Sequence, residues 1–304
     1  MKLWFTYFRA IAAMFFWAIT FVWYKIAFET YRPYEVIFLR LLLGAGLLCI
    51  VMLISSHWQK IQRRDIWRFL LVAFFEPFLY FIGEANGMQY VSSTLGSLII
   101  ALIPIFAAIG AWILLKETIT RYVIAGLIVS FSGVAILSIG SGELTATLKG
   151  VLLLMIAIFG AVGYGLTVRP LTLKYSTLTI VAYQSLIGML YFLPLFIIYD
   201  GSHFFSVQHS FRGLSTIAMM SICATVGAFL LYTDVIRTLG VAKANIFTYL
   251  IPVFTVGQAY FILAEPLTAR TIAGIGLTLL GLVISQYHDL RKLKKRVLEY
   301  YPWI

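Results

Sequence analysis

Apolar runs of about 20 residues recur along nearly the whole chain, and each is long enough to cross a bilayer as a helix. Of the 304 residues, 62% are hydrophobic and only 12% are charged, whereas about a quarter of the residues in soluble domains are charged. A water-soluble core cannot hide that much apolar surface. The sequence therefore predicts an all-α integral membrane protein with ten transmembrane helices, over residues 7–28, 35–54, 66–87, 92–115, 121–139, 149–170, 177–199, 213–234, 241–263 and 270–287.

The basic residues are distributed unevenly between the two sides of these predicted helices. Seventeen of the 23 Lys and Arg residues lie at the N-terminus, in the even-numbered loops or in the C-terminal tail, and the other side carries only Arg32, Lys149, Arg212 and Arg270. Cytoplasmic loops of membrane proteins are enriched in Lys and Arg. Both termini are therefore expected in the cytoplasm, where residues 288–304 form a basic tail.

The net charge of +11 comes from these loops and this tail. There it contacts the headgroups of membrane lipid, and no nucleic-acid recognition module accompanies it. The four histidines lie in predicted loops or in the tail without ligand spacing, and Cys49 and Cys223 fall inside apolar runs. The sequence predicts neither nucleic-acid binding nor a metal site, and no cofactor.

The second half of the chain repeats the first. The motif LIPIF at 102–106 returns as LIPVF at 250–254, and at this offset of 148 residues 12 of 32 positions match over residues 102–133. About three matches are expected by chance in so apolar a chain. Nearer the start of each half the offset is 144 residues, which pairs Lys25 with Arg169.

Each half contains five predicted helices, an odd number, so the second half must cross the membrane in the opposite sense. We expect two inverted five-helix repeats, at residues 7–139 and 149–287. In secondary carriers of this plan, a small-molecule solute binds near the bilayer midplane between two halves that rock around it. The inversion also places Glu117 on the cytoplasmic side and its counterpart Glu265 on the external side.

Several motifs recur in a fixed order in the two halves. The first predicted helix contains Trp17 and Lys25, and the second contains Arg40. The fourth and ninth helices are each centred on a proline, and each is followed by an acidic residue and a glycine-rich helix, namely Glu117 with Gly126 and Gly133, and Glu265 with Gly274 and Gly281.

This order of motifs resembles the drug/metabolite transporter superfamily, EamA type, over almost the entire chain. The resemblance implies solute transport, often export, of amino acids or other metabolites across the bacterial inner membrane. It also implies that the glycine-rich helices are peripheral and support the fold or a homodimer.

Pro104 and Pro252 occupy corresponding positions near the centres of the fourth and ninth helices. Proline lacks the backbone donor that continues a helix, so both helices should kink near the midplane. The symmetric placement favours a hinge beside the solute site. The alternative is that the two prolines are merely tolerated by neighbouring helices.

Polar and aromatic side chains recur at helical spacing in several of the predicted spans. In the third span Glu76, Tyr80 and Glu84 follow one another every four residues, which places them on one helix face. A carboxylate at the bilayer centre costs about 3 kcal/mol, so Glu76 should face a wet cavity or a cation, or be protonated. The first span carries a similar stripe that ends at Tyr24. The predicted substrate-binding residues are Trp17, Thr20, Arg40, Glu76, Tyr80, Tyr164, Tyr183, Gln184, Asn245 and Tyr249.

Arg40 and Glu76 lie at similar depths in adjacent helices, about 7 Å and 13 Å inward at a rise of 1.5 Å per residue. We expect them to pair in the empty protein and to separate for a carboxylate at Arg40 and an amine or a proton at Glu76. This arrangement favours amino-acid-like zwitterions. Alternatively, Arg40 only braces the second helix, and any single Tyr or Trp of the site serves only in packing.

Two other functions remain open from the sequence. One is a multidrug exporter of amphipathic compounds, although the small multidrug exporters place a Glu in their first helix, and here none precedes Glu29. The other is an integral-membrane enzyme acting on lipid-like substrates. Its catalysis would need a Ser with a nearby His or clustered aspartates, and both patterns are missing from the predicted spans. A secondary transporter that exports small metabolites such as amino acids is the expected function.

Overall fold

The computed structural model describes residues 2–55, 59–115, 120–138 and 144–285, and these residues form helices without any strand. Eight helical segments are long and apolar enough to cross a membrane, and two further apolar helices are shorter. The ten helices are α1 (Lys2–Ala27), α2 (Pro33–Ile54), α3 (Arg63–Met88), α4 (93–115), α5 (Arg121–Ser138), α6 (Leu144–Thr172), α7 (Thr177–Ser206), α8 (Phe211–Leu239), α9 (241–263) and α10 (Ala269–Ser285).

The predicted fold class is confirmed. Most helix bounds lie within a few residues of the predicted spans, but α1, α6, α7 and α8 extend several residues further at one end. Polar side chains at a helix end can reach the headgroup region, so a helix continues beyond its apolar run. Glu117 and the tail 288–304 lie outside the described residues.

The two halves are inverted with respect to each other. Arg9, near the start of α1, forms an ion pair with Asp234, near the end of α8. Lys149, near the start of α6, donates to the hydroxyl of Tyr90 just after α3, with 2.8 Å between the two atoms. Since three crossings separate the start of α1 from the end of α3, α1 and α6 begin at opposite ends of the molecule.

We call the end at which α1 begins the N-terminal face, and the other end the opposite face. Helices α2, α4, α6 and α8 end at the N-terminal face, and α1, α3, α5, α7 and α9 end at the opposite face. The distribution of Lys and Arg predicts that the N-terminal face is cytoplasmic.

The glycines of α5 and α10 bring these two helices into close contact. A Cβ atom added at Gly126 would lie 2.5 Å from the carbonyl oxygen of Gly281. One added at Gly133 would lie 2.6 Å from the carbonyl oxygen of Gly274. The start of α5 therefore packs on the end of α10, so the two helices run antiparallel with a backbone spacing that only glycine permits.

Ser130 and Thr278 lie at the centre of this contact. The Ser130 hydroxyl donates to the carbonyl of Thr278 over 3.1 Å, and the Thr278 hydroxyl lies 3.5 Å from the carbonyl of Ser130. The offset of 148 residues pairs these two positions, so a local two-fold axis passes between them. These glycine-rich faces are thus used inside one chain, and the homodimer stays a prediction.

Helices α4 and α9 are interrupted at corresponding positions. The first consists of Ser93–Ile100 and Ile103–Leu115, separated by a turn at residues 101–102. The second consists of Val241–Ile246, a 3-10 turn at Phe247–Tyr249, and Leu250–Leu263. In each case the proline follows the break, where it lies in the first turn of the second segment and needs no backbone donor. The predicted kinks are therefore present, and their role as hinges stays a prediction.

Helix α3 is also interrupted, and this break was not predicted. Wide helical turns run over Phe74–Leu79, and Glu76 has an extended backbone conformation with φ −147° and ψ 116°. Pro77 has no backbone donor. The N–H of Tyr80 donates to the carbonyls of Phe75 and Pro77, and the Gln184 side chain donates to the Glu76 carbonyl over 2.9 Å. Helix α3 is therefore irregular at Glu76, but Glu76, Tyr80 and Glu84 all line the cavity described below.

Candidate functional site

A cavity lies between the two repeats at the level of the helix breaks. Seven helices contribute to its wall, and the breaks in α4 and α9 reach it through Ile103 and Thr248. Of the ten predicted binding residues, seven line this cavity, namely Trp17, Thr20, Arg40, Glu76, Tyr80, Tyr164 and Asn245. Their role in binding a solute remains a prediction.

Arg40 is almost completely buried, with 1% of its surface exposed. Its Nε atom donates to the hydroxyl of Thr225 over 2.7 Å, and its Nη1 atom donates to the hydroxyl of Tyr24 over 3.2 Å. The guanidinium also lies over the ring of Phe81, 4.3 Å from the centroid. These contacts fix the cation between α1, α2, α3 and α8, so Arg40 is held rigidly at the end of the cavity toward the opposite face.

Glu84 is the acidic partner of Arg40. Its carboxylate lies 4.0 Å from the Arg40 Nη1 atom, and it accepts hydrogen bonds from Tyr24 over 2.9 Å and from Tyr80 over 3.0 Å. Each carboxylate oxygen thus has a partner, and the two opposite charges compensate each other inside the protein. The expected pairing of Arg40 with Glu76 is corrected: Glu84, and not Glu76, lies beside the guanidinium.

Glu76 is the second carboxylate of the cavity and differs from the first. Only 6% of its surface is exposed. Its side chain forms no hydrogen bond and no ion pair with any residue that the structure describes, although its backbone carbonyl is bound by Gln184. A buried acid without a partner is costly in a membrane. Glu76 is therefore the group in the cavity that is available to a ligand or a proton.

Aromatic rings form the wall on the side of α1, α6 and α8. The ring of Trp17 lies 4.8 Å from Tyr232 and 5.3 Å from Phe229, both edge to face. The hydroxyl of Tyr164 lies 3.2 Å from that of Thr233, and the hydroxyl of Tyr232 donates to Asn245. The rings are thus oriented by polar contacts at their edges, and their faces provide an apolar surface beside Glu76.

Three predicted binding residues do not line the cavity. Tyr183 packs its ring on Phe69, with 5.8 Å between the centroids. Gln184 lies behind the lining, where its side chain donates to the backbone carbonyl of Glu76. Tyr249 belongs to the 3-10 turn of α9. Helix α9 reaches the cavity through Thr248 and Ile251, the neighbours of Tyr249, whereas α7, which carries Tyr183 and Gln184, contributes no residue to the lining.

Several residues of the site were missed. Tyr24 follows Thr20 by one turn on the stripe of α1, and this signal could have identified it as part of the site. Phe81 and Thr225 carried no comparable signal, because an isolated Phe or Thr in an apolar span is common. Within the described residues, no three His, Cys, Asp or Glu side chains are grouped as metal ligands.

A polar and aromatic cavity between two inverted five-helix repeats, reached by broken helices from both, is the architecture of a secondary transporter. The chain belongs to the EamA-like transporter family, whose model matches it twice, over residues 4–139 and 148–287. The resemblance drawn from the sequence motifs is thereby confirmed, and the protein is a transporter.

Relatives that are named as transporters agree with this assignment. An uncharacterized transporter of Archaeoglobus fulgidus is 28% identical over 269 residues, 88% of this chain and 94% of that protein. The uncharacterized transporter YetK of Bacillus subtilis is 26% identical over 266 residues, 86% of this chain and 78% of that protein.

A probable terminal-alkyne amino-acid exporter of Streptantibioticus cattleyicolor is 26% identical over 198 residues, 65% of each chain. A solved crystal structure superimposes with a TM-score of 0.68, covers 94% of this chain and 98% of its own, and is 15% identical in sequence. At that identity, the likeness supports the fold alone.

Proposed function

We propose that this transporter exports small metabolites that carry an amine, amino acids among them, across the inner membrane by alternating access between its two repeats. The observation that carries the proposal is the Glu76 carboxylate, which is buried in the cavity and forms no hydrogen bond or ion pair with any of the described residues. A solute that brings a positive charge to this position offsets the cost of burying the acid.

The charges of the cavity favour an amine over a carboxylate as the anchoring group. Arg40 and Glu84 compensate each other, so the remaining charge of the lining is the single negative charge of Glu76 when it is ionised. A solute carboxylate would have to displace Glu84 from the guanidinium, which Tyr24 and Thr225 also hold in place. The amine of an amino acid is therefore expected to bind at Glu76, with its carboxylate toward the remaining donors of Arg40.

The aromatic wall favours a solute with an apolar or aromatic body. Trp17, Tyr232 and Phe229 present ring surface next to Glu76, and an ammonium group near such rings gains a further attraction of about 0.5–1 kcal/mol or more. The named amino-acid exporter among the relatives is consistent with solutes of this kind. The same wall supports a second candidate, the export of amphipathic drug-like cations.

Transport by purified protein tests the proposal. The protein is reconstituted in liposomes loaded with a labelled solute, and efflux is measured for an amine, the matching amino acid and the matching carboxylic acid, for example phenethylamine, phenylalanine and phenylpropionate. We expect flux of the first two and no chemical conversion of any of them. Conversion of a solute would instead support the enzyme alternative.

The variant Glu76→Gln keeps the shape of the side chain and removes its charge. It should fold normally and lose at least about tenfold in flux, since a charged hydrogen bond in a dry site contributes about 1.5–3 kcal/mol. Glu29→Gln is the matched control, because Glu29 lies at the surface with 54% of its side chain exposed. Flux in Glu76→Gln equal to that of the control would contradict the proposed role of Glu76.

A further inference from the structure

One of the contacts between the two repeats at the opposite face lies outside the cavity. Glu265 follows α9 in the second repeat, and its carboxylate lies at the start of α4 in the first repeat. One oxygen accepts from the backbone N–H of Ser93 over 2.8 Å. The other accepts from the backbone N–H of Thr94 over 3.2 Å and from the Thr94 hydroxyl over 2.8 Å.

This contact combines three hydrogen bonds to one charge with the positive end of a helix dipole. Hydrogen bonds to a carboxylate are about twice as strong as neutral ones, and the start of a helix attracts an anion. Among the described residues, α4 has only one other side-chain cap at this end, from Ser92 to the backbone N–H of Leu95 over 3.1 Å. Ser92 belongs to the same repeat as α4. Of these two caps, only the one from Glu265 connects the two repeats.

The adjoining loop is held on its other side as well. The Lys25 ammonium donates to the carbonyl of Met88 at the end of α3, over 2.6 Å. In the second repeat, Arg169, the counterpart of Lys25, donates in the same way to the carbonyls of Ile236 and Arg237 at the end of α8. A basic side chain thus binds the carbonyls at a helix end in both repeats, and in each case the two partners belong to the same repeat.

The counterpart of Glu265 at the offset of 148 residues is Glu117, which lies outside the described residues. The offset of 148 residues pairs Ser93 with Val241 at the start of α9. The residue before it is Gly240, and no side chain of the described part caps this helix start. Within the described residues, a carboxylate from the other repeat is thus present at the start of α4.

We propose that Glu265 is the clamp that holds the opposite face closed, and that this face opens only when its carboxylate leaves the start of α4. The inference rests on the proposed alternating access. Glu265 is only partly buried, and Thr268 and Arg270 line the same surface depression, so water and the Arg270 cation can receive the carboxylate when the clamp releases. Glu265 acts through α4 and does not touch the solute.

Accessibility of the cavity from the opposite face tests this proposal. In a background that lacks Cys49 and Cys223, Thr20→Cys places a thiol in the cavity wall. A membrane-impermeant maleimide is added to intact cells, because the opposite face is predicted to be external. Removal of the clamp by Glu265→Ala should raise the labelling rate about tenfold, the change that follows from losing 1.4 kcal/mol of preference for the closed state.

Ser92→Ala is the matched control, since it removes a cap from the same helix start without separating the repeats, and it should leave the labelling rate unchanged. Glu265→Gln keeps one acceptor oxygen and should give a smaller increase in the labelling rate. This variant tests the clamp if Glu265→Ala does not elute as folded protein on size exclusion.

An unchanged rate in folded Glu265→Ala or Glu265→Gln would overturn the proposal. So would an equal increase in Ser92→Ala, which would indicate local fraying of α4. Labelling requires no solute, so failure of the clamp and failure of the proposed solute class are seen in different measurements.

Discussion

Arg40 and Glu84 are held 4.0 Å apart by the hydroxyl of Tyr24, which donates to the carboxylate and accepts from the guanidinium. The three residues come from α2, α3 and α1, so a charged cluster joins three helices of the first repeat. Thr225 connects the same guanidinium to α8 of the second repeat. The cluster therefore lies at the junction that must be kept or rearranged when the repeats move.

Neutralising one member of this pair should be more damaging than neutralising both. Arg40→Gln and Glu84→Gln each leave a buried charge without its partner, which costs about 3–5 kcal/mol. The double variant leaves no charge and should recover most of the stability. The midpoint of thermal denaturation, followed by size exclusion, measures the difference.

Arg212→Gln serves as the control for this comparison. Arg212 pairs with Glu29 at the surface, where both side chains are more than half exposed, and such a pair contributes about 0–1 kcal/mol. If the double variant is no more stable than the less stable of the two single variants, Arg40 and Glu84 are not coupled.

The fold could be predicted from the sequence because its signals are local or duplicated. Apolar length indicates each helix without knowledge of its neighbours, and the match of residues 102–133 with the second half reveals the repeat. The odd number of helices per repeat then gives the inversion. The packing of Gly126 on Gly281 also follows the seven-residue glycine spacing that marked both helices as contact surfaces.

The ion pair of the site could not be predicted in the same way. Depth along ideal helices placed Glu76 beside Arg40, but Glu84 lies there in the structure, and α3 is interrupted at Glu76 and Pro77. Thr225 lies 185 residues from Arg40 in the chain, and one threonine in an apolar helix has many possible partners. Such contacts are set by tertiary packing, which a single sequence does not record.

Substitution of the helix-contact glycines should destabilise the protein. In Gly126→Ala the new methyl group would lie 2.5 Å from the carbonyl oxygen of Gly281, so α5 and α10 must move apart, at a cost of about 1–3 kcal/mol. Gly276→Ala is the control on α10, because no atom outside its own helix lies within 4 Å of the added carbon. Equal melting temperatures for the two variants would contradict this account of the contact.

The orientation in the membrane can be tested with single cysteines. In the background without Cys49 and Cys223, Lys60→Cys lies after α2 on the N-terminal face and Thr268→Cys lies after α9 on the opposite face. An impermeant maleimide should label Thr268→Cys in intact cells and Lys60→Cys only after permeabilisation. Labelling of Lys60→Cys alone in intact cells would reverse the orientation predicted from the Lys and Arg count.

The two prolines should set the rate of transport more than the stability of the protein. Pro104 cannot donate to the carbonyl of Ile100, and Pro252 cannot donate to that of Thr248, so each helix lacks one backbone hydrogen bond at its break. Alanine restores a donor and favours the straight helix by about 1 kcal/mol, which should slow flux several-fold in Pro104→Ala or Pro252→Ala and more in the double variant.

Efflux from liposomes at matched protein amounts provides the measurement for the prolines. The control is Pro33→Ala, because Pro33 stands at the start of α2, where a helix needs no backbone donor and no break is present. This control should transport at the normal rate. A double proline variant that does the same would mean that the breaks in α4 and α9 are maintained by packing alone, and that these prolines are tolerated without acting as hinges.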